Sequence, residues 1–237
     1  MPSLGVVVRF RVDVSADTEH IAWPDVYGPA RGVIYGLLRS QDEELATELH
    51  DRGWAGTPIK PLGISPPIFG GKTRRKGVWG SSGVGSVWLG SPVPRIAACL
   101  LAGLAGRAEI RWGATQLTIH GVRVEAPPAS CQSGVAEFRA LSPIVIKQEG
   151  RFLLPEDPGY LERLTHNLRH RADALGLPNE VKVEVLEAGP RRRDEVLGKM
   201  RIGATAKLRI HAAPELLQAF YEGGIGLNCV QGFGWLR

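Results

Sequence analysis

The chain has 237 residues, 43% of them hydrophobic and 22% charged, with a formal net charge of +5. That composition supports a sizeable core in one large domain or two small ones, and the positive balance favours a polyanionic partner, nucleic acid or an anionic membrane surface. The three cysteines, Cys99, Cys131 and Cys229, are far apart and odd in number. They support neither a zinc ribbon nor a disulfide framework and suit a reducing cytosol. The opening MPSLGVVVRFRVDV has no signal-peptide organisation, and no stretch reaches the roughly 18 apolar residues of a membrane span, so a cytoplasmic protein without a membrane partner is expected.

In chain order, residues 5–14 read as a strand and 30–41 as a helix. Ser40-Gln41-Asp42-Glu43 fits a capping box, so a second helix is expected to start at Ser40 and to stop near Gly53. IKPLGISPPIF and GVWGSSGVGSVWLGS read as extended segments around a basic turn, residues 93–105 as a helix, and 108–125 as a strand or hairpin. EAPPAS (125–130) is the candidate linker. After it come a strand (AEFRALSPIVIK), a long helix closed by Gly176, two strands around the turn PRRRDE, a helix (PELLQAFYEGG) and a last strand (GFGWLR). The first half thus reads strand–helix–helix–strand–strand–helix–strand, and the second nearly repeats it as strand–helix–strand–strand–helix–strand. We expect an α+β protein of two tandem ferredoxin-like (RRM-like) domains: residues 1–126 with the catalytic region, and 131–237 with the glycine-rich end.

Two local patterns are decoys. Gly71-Lys72-Thr73 looks like the end of a phosphate-binding P-loop, but Pro66 stands where that motif needs glycine. His166 and His170 share a helix face, yet no third ligand is evident among the arginines around them, so a solvated basic face is expected, one that could also meet phosphates. Basic clusters at expected hairpin tips, Arg74-Arg75-Lys76 and Arg191-Arg192-Arg193, are candidates for gripping RNA backbone. Sheet-face aromatics of the RRM kind are not evident, so base stacking is not the expected mode.

The chain ends GGIGLNCVQGFGWLR, joining glycine to buried-type residues. Bare main-chain N–H groups of Gly224, Gly226, Gly232 and Gly234 could contact anionic oxygens; a tight helix-to-strand connection is the plainer reading. The spacing Gly-Ile-Gly, five residues, Gly-Phe-Gly resembles the C-terminal signature of the CRISPR repeat-RNA endoribonucleases, the Cas-six family. LSPIVIK (141–147) resembles that family's strand opening the second domain, and Tyr35 to His50, with the segment holding Lys60 and Ser65, resembles its catalytic region. The resemblance spans essentially the whole chain. Where the family commonly has Lys followed by aromatic-Thr-aromatic-Ser, this chain has Lys60-Pro61-Leu62-Gly63-Ile64-Ser65.

The resemblance implies two ferredoxin-like domains and metal-independent, cofactor-free cutting of CRISPR precursor RNA within each repeat. RNA carries its own nucleophile, the 2′-hydroxyl, whose in-line attack leaves a 2′,3′-cyclic phosphate and a 5′-hydroxyl. Such a site needs a base, an acid and positive charge. His50, near a helix end, is the expected acid or base. Tyr35 would orient or deprotonate the 2′-hydroxyl, and Lys60, with Arg52 as its substitute, would neutralise developing charge. Ser65 is a further candidate RNA contact. The family's second-domain hairpin tends to meet the repeat stem, which favours Arg191–Arg193. The partner implied is repeat RNA, with a CRISPR interference complex and a second copy of the chain left open. The competing readings are a non-cleaving repeat-RNA binder or effector-complex subunit, and a purely structural scaffold.

Overall fold

The structure, a computed structural model, describes residues 9–70 and 78–237. Its first half runs β1 (Arg9–Ala16), β2 (His20–Ala22), α1 (Trp23–Tyr27), α2 (Ala30–Arg39), α3 (Glu43–Asp51), β3 (Gly63–Ile64), β4 (Ile68–Phe69), β5 (Val78–Gly80), β6 (Val84–Gly90), α4 (Pro94–Leu104), β7 (Glu109–Trp112) and β8 (Thr115–Glu125). The alternation of β1 puts Phe10, Val12 and Val14 in the core. Ile34, Leu37 and Leu38 of α2, Leu45 and Leu49 of α3, and Ile96, Leu100 and Leu104 of α4 pack with them at helical spacing. Each such side chain taken from water contributes about 1.5–3 kcal/mol. The sheet order is β3-β6-β1-β8-β7, with β4 also on β6. Leaving aside the added β7, this is the ferredoxin-like arrangement.

The second half runs β9 (Val135–Arg139), β10 (Ile146–Gln148), β11 (Arg151–Leu153), α5 (Tyr160–Leu175), β12 (Lys182–Val196), β13 (Lys199–His211) and α6 (Pro214–Gly223), with 3-10 turns at Ala129–Ser133 and Cys229–Gln231. Its sheet order is β12-β13-β9. The chain end lies along the free edge of β9: Arg139 N–H donates to the Arg237 carbonyl at 2.7 Å and Arg237 N–H to that of Arg139 at 2.8 Å. The last segment therefore supplies the fourth strand position, as expected, and the protein is a tandem of two ferredoxin-like units.

Two local expectations need correction. The cap of α3 is Asp42, whose carboxylate accepts from Leu45 N–H at 2.9 Å. Ser40 instead ends α2, its backbone N–H reaching Gly36 and its hydroxyl the Leu37 carbonyl. PRRRDE is not a turn: Arg191, Arg192 and Arg193 lie within β12, paired with Ala204, Gly203 and Ile202. Gly189 and Pro190 fall in a bulge between Ala188 and Arg191, where proline's missing N–H breaks no ladder bond. The turn is Leu197–Gly198, both at positive φ, the geometry of a two-residue hairpin loop.

The junction between the halves has its own apolar cluster: Ile21, Val26, Tyr27 and Trp79 from the first, Val145, Val196 and Phe233 from the second. The rings of Tyr27 and Phe233 stack at 4.4 Å. Arg9, 1% exposed, crosses the junction. Its Nη1 donates to the carbonyls of Tyr221 (2.9 Å) and Leu236 (2.7 Å), and its guanidinium lies over the rings of Tyr221 and Trp235. No helix among the described residues is long and apolar enough to cross a membrane.

Candidate functional site

Tyr35, His50 and Lys60 come together at the C-terminal end of α3. Leu45, Ala46 and Leu49 bury one face of this helix, which turns His50 outward in its last turn. The His50 side chain is 40% exposed, and its Nδ1 lies 2.8 Å from Asp51 Oδ1. The hydrogen bond to His50 holds the Asp51 carboxyl below the usual carboxylate range. With Nδ1 engaged, Nε2 is the nitrogen free to meet a ligand. The ring of Tyr35 meets that of His50 edge-on at 5.3 Å.

Tyr35 is only 3% exposed, and its hydroxyl donates to the Leu49 carbonyl at 3.4 Å. Burial pushes the phenol up to about 12, so deprotonating it near neutral pH is unfavourable. Lys60 donates from Nζ to the Leu49 carbonyl at 2.6 Å and to the His50 carbonyl, satisfying acceptors that the end of a helix leaves open. Its ammonium is 5.9 Å from the Tyr35 ring centroid. Burial first, and then the Arg31 charge, lower the Lys60 pKa. Arg31, one helical turn before Tyr35, also acts on Arg201 of β13, whose pKa burial lowers. Arg201 Nε donates to Gln231 Oε1 at 3.3 Å, tying β13 to the glycine-rich end. Arg31 and Arg201 were not singled out in the sequence. The i, i+4 relation of Arg31 to Tyr35 was visible there; Arg201 is brought near only by the fold.

Arg52, exposed, follows α3 as its C-cap residue. Ser65 is fully buried: its hydroxyl donates to the Pro66 carbonyl and accepts from Trp88 N–H, so it is a strand-joining residue and not an exposed RNA contact.

The four signature glycines are packed inside the protein. Gly224, Gly226, Gly232 and Gly234 are buried, and all have positive φ. Gly224 N–H donates to Phe220, Gly232 N–H to Cys229 and Gly234 N–H to Pro143. A Cβ on Gly234 would sit 1.8 Å from the Ile225 carbonyl oxygen, and one on Gly232 3.0 Å from the Tyr27 ring. Their evident work is close packing of backbone. Beneath them Arg171 of α5, itself buried, donates to the Gly224 carbonyl at 3.0 Å and lies 3.0 Å from Cys229 Sγ.

Arg191, Arg192 and Arg193 are exposed on the β12–β13 arm. That arm is pinned by Val196 in the junction cluster and by Asp194, 4% exposed, which hydrogen-bonds to the Trp23 indole and whose carboxyl burial raises to about 6. Arg74, Arg75 and Lys76 lie outside the described residues. Among the described residues, no group of three or more His, Cys, Asp or Glu is placed to hold a metal ion. His166 and His170 face each other at 4.4 Å between ring centroids.

Residues 125–237 match the family described as CRISPR associated protein Cas6, C-terminal. The CRISPR-associated endoribonuclease Cas6 of Pyrococcus furiosus is 26% identical over 219 residues, covering 87% of this chain and 80% of that protein. Two solved structures share the fold. A Cas6-related protein from Pyrococcus furiosus superposes with a TM-score of 0.81 at 19% identity over 97% of both chains. A RAMP protein described as binding different RNA substrates gives 0.80 at 20% identity over 97% of this chain and 98% of that one. Residues 125–237 thus match a Cas6 C-terminal domain, and over most of its length the chain is similar in sequence and in fold to Cas6 proteins.

Proposed function

We propose that the protein is an endoribonuclease that cuts CRISPR precursor RNA within its repeats, by attack of the RNA's own 2′-hydroxyl on the adjacent phosphate. The products are a 2′,3′-cyclic phosphate and a 5′-hydroxyl. The observation that carries this reading is the convergence of Tyr35, His50 and Lys60, remote from one another in sequence, at one helix end. The endoribonuclease named among the relatives supports it.

His50 moves the proton. Asp51 holds Nδ1, so Nε2 faces the substrate, either taking the 2′-hydroxyl proton or giving one to the leaving 5′-oxygen. Lys60 fixes the carbonyl end of α3 and, with Arg31 and Arg201, supplies positive charge where the phosphate gains negative charge. Tyr35 holds the His50 ring edge-on and is a positioning group. The proton transfer belongs to residues 1–126, with Arg201 adding charge from the second half. Residues 131–237 contribute the β12–β13 arm, whose Arg191–Arg193 meet RNA phosphates, and the glycine turn, which frames the junction and acts on RNA only through the groups it positions.

Purified protein mixed with repeat RNA in EDTA tests the reading. Fragments ending in cyclic phosphate are expected. Tight binding without fragments would instead make the chain a non-cleaving repeat-RNA binder.

A further inference from the structure

Beside Lys60, Ile59 forms one wall of a cleft of about 170 Å3 between the two halves. Leu227 of the glycine turn and Ile146 of β10 complete an apolar surface. The opposite wall is one face of α5, where Arg163, His166, Asn167 and His170 recur at helical spacing. The other face of that helix is spent on Leu164, Leu168 and Ala172 in the core.

The polar wall carries features that no packing role explains. The Asn167 Oδ1 is buried and has no hydrogen-bond partner, a costly arrangement unless a ligand supplies a donor. Partial desolvation, and then the neighbouring His170, Arg163 and Arg169 charges, hold His166 below the ordinary histidine range, which favours its neutral ring. Arg163 is exposed at the rim and donates to the Lys147 carbonyl at 3.3 Å, which brings two cations to one edge. An apolar slot with an unpaired amide inside and cations outside matches the chemistry of a nucleotide: a flat heterocycle with donors on its edge, and a phosphate.

We propose that this cleft is a nucleotide subsite that takes one unstacked residue of the RNA. Its base lies against Ile59, Ile146 and Leu227, its edge pairs with Asn167, and its phosphate meets Lys147 and Arg163. The proposal rests on the RNA reading above and adds a base-reading position contributed by the second half of the chain. Because Ile59 and Lys60 are adjacent, the nucleotide held here lies within a few residues of the scissile phosphate.

The test measures binding of labelled single-stranded repeat RNA to the His50→Ala protein, so that the RNA stays intact. The RNA is tiled with single abasic residues that keep the backbone and remove one base. One abasic position near the cut is expected to weaken binding roughly tenfold. Asn167→Leu is expected to weaken binding of intact RNA by a similar factor and to add little at that one position. Arg163→Ala, on an exposed residue that leaves folding untouched, should lower the slope of log K against log salt by roughly 0.7. Penalties that add in full at every position, or variants that bind like the parent, would overturn the subsite while leaving the nuclease reading intact. Failure of the His50→Ala protein to bind repeat RNA at all would overturn both. Free nucleoside monophosphate that binds the cleft without competing with RNA would also overturn it.

Discussion

At the end of α3, His50 is partly open to solvent and holds one side-chain hydrogen-bond partner, Asp51. At the glycine turn, residues 223–236 are buried except for the half-buried Leu227 and Asn228, and the main chain of Gly224, Gly232 and Gly234 is hydrogen-bonded within the protein. Both regions carry family-like sequence patterns, yet they are constrained by different physics. The first keeps polar atoms available for a substrate; the second uses glycine because nothing larger fits. Substitutions should therefore separate them, the first changing rate and the second changing stability.

The largest effect is expected from Gly234→Ala. A methyl 1.8 Å from the Ile225 carbonyl, at φ +65, must push the last segment off β9. A loss of more than about 3 kcal/mol in urea unfolding is expected, with activity falling because less protein is folded. A normally stable variant would break the contrast. His50→Ala should do the reverse, slowing single-turnover cleavage roughly 10²–10⁴-fold with an unchanged melting temperature.

Glu222 sharpens the contrast through pH. It is 3% exposed, at the end of α6 just before the turn, and burial raises its carboxyl to about 8. A folded-state value above the unfolded one means that the native protein binds the extra proton. Its contribution is therefore present in acid and declines as pH rises from about 4.5 through 8. Glu222→Gln should flatten that decline in a series of unfolding curves; an unchanged pH profile would show that the carboxylate is accommodated in the fold. The smallest effect is expected from Tyr35→Phe. The hydroxyl makes one long bond to the Leu49 carbonyl, so about 1 kcal/mol of stability and less than a tenfold loss of rate are expected. A loss approaching that of His50→Ala would return Tyr35 to the role of base.

The tandem fold was legible because its strands and helices follow simple periods: Phe10, Val12 and Val14 alternate, and Ile34, Leu37 and Leu38 recur at helical spacing. The meeting of Tyr35, His50 and Lys60 was legible through resemblance, since no local spacing links Lys60 to the end of α3. Three things were not legible. The β12–β13 turn sits at Leu197–Gly198 because leucine there adopts positive φ, which leucine seldom does, while Pro190 and its charged neighbours mimic a turn inside a bulged strand. Asp42 and Ser40 are both good caps, and only the hydrogen bonds distinguish them. The glycine run reads equally as a ligand cradle or as tight packing, because burial depends on Tyr27 and Pro143 from distant parts of the chain.

The account stands most directly on cleavage of a repeat RNA carrying a single 2′-deoxy residue just upstream of the cut. With the nucleophile gone and the phosphates kept, binding should stay within about twofold of the all-ribose RNA while cleavage disappears. Continued cutting at the same phosphate would show that the RNA does not supply its own attacking oxygen, and would contradict the role assigned to His50.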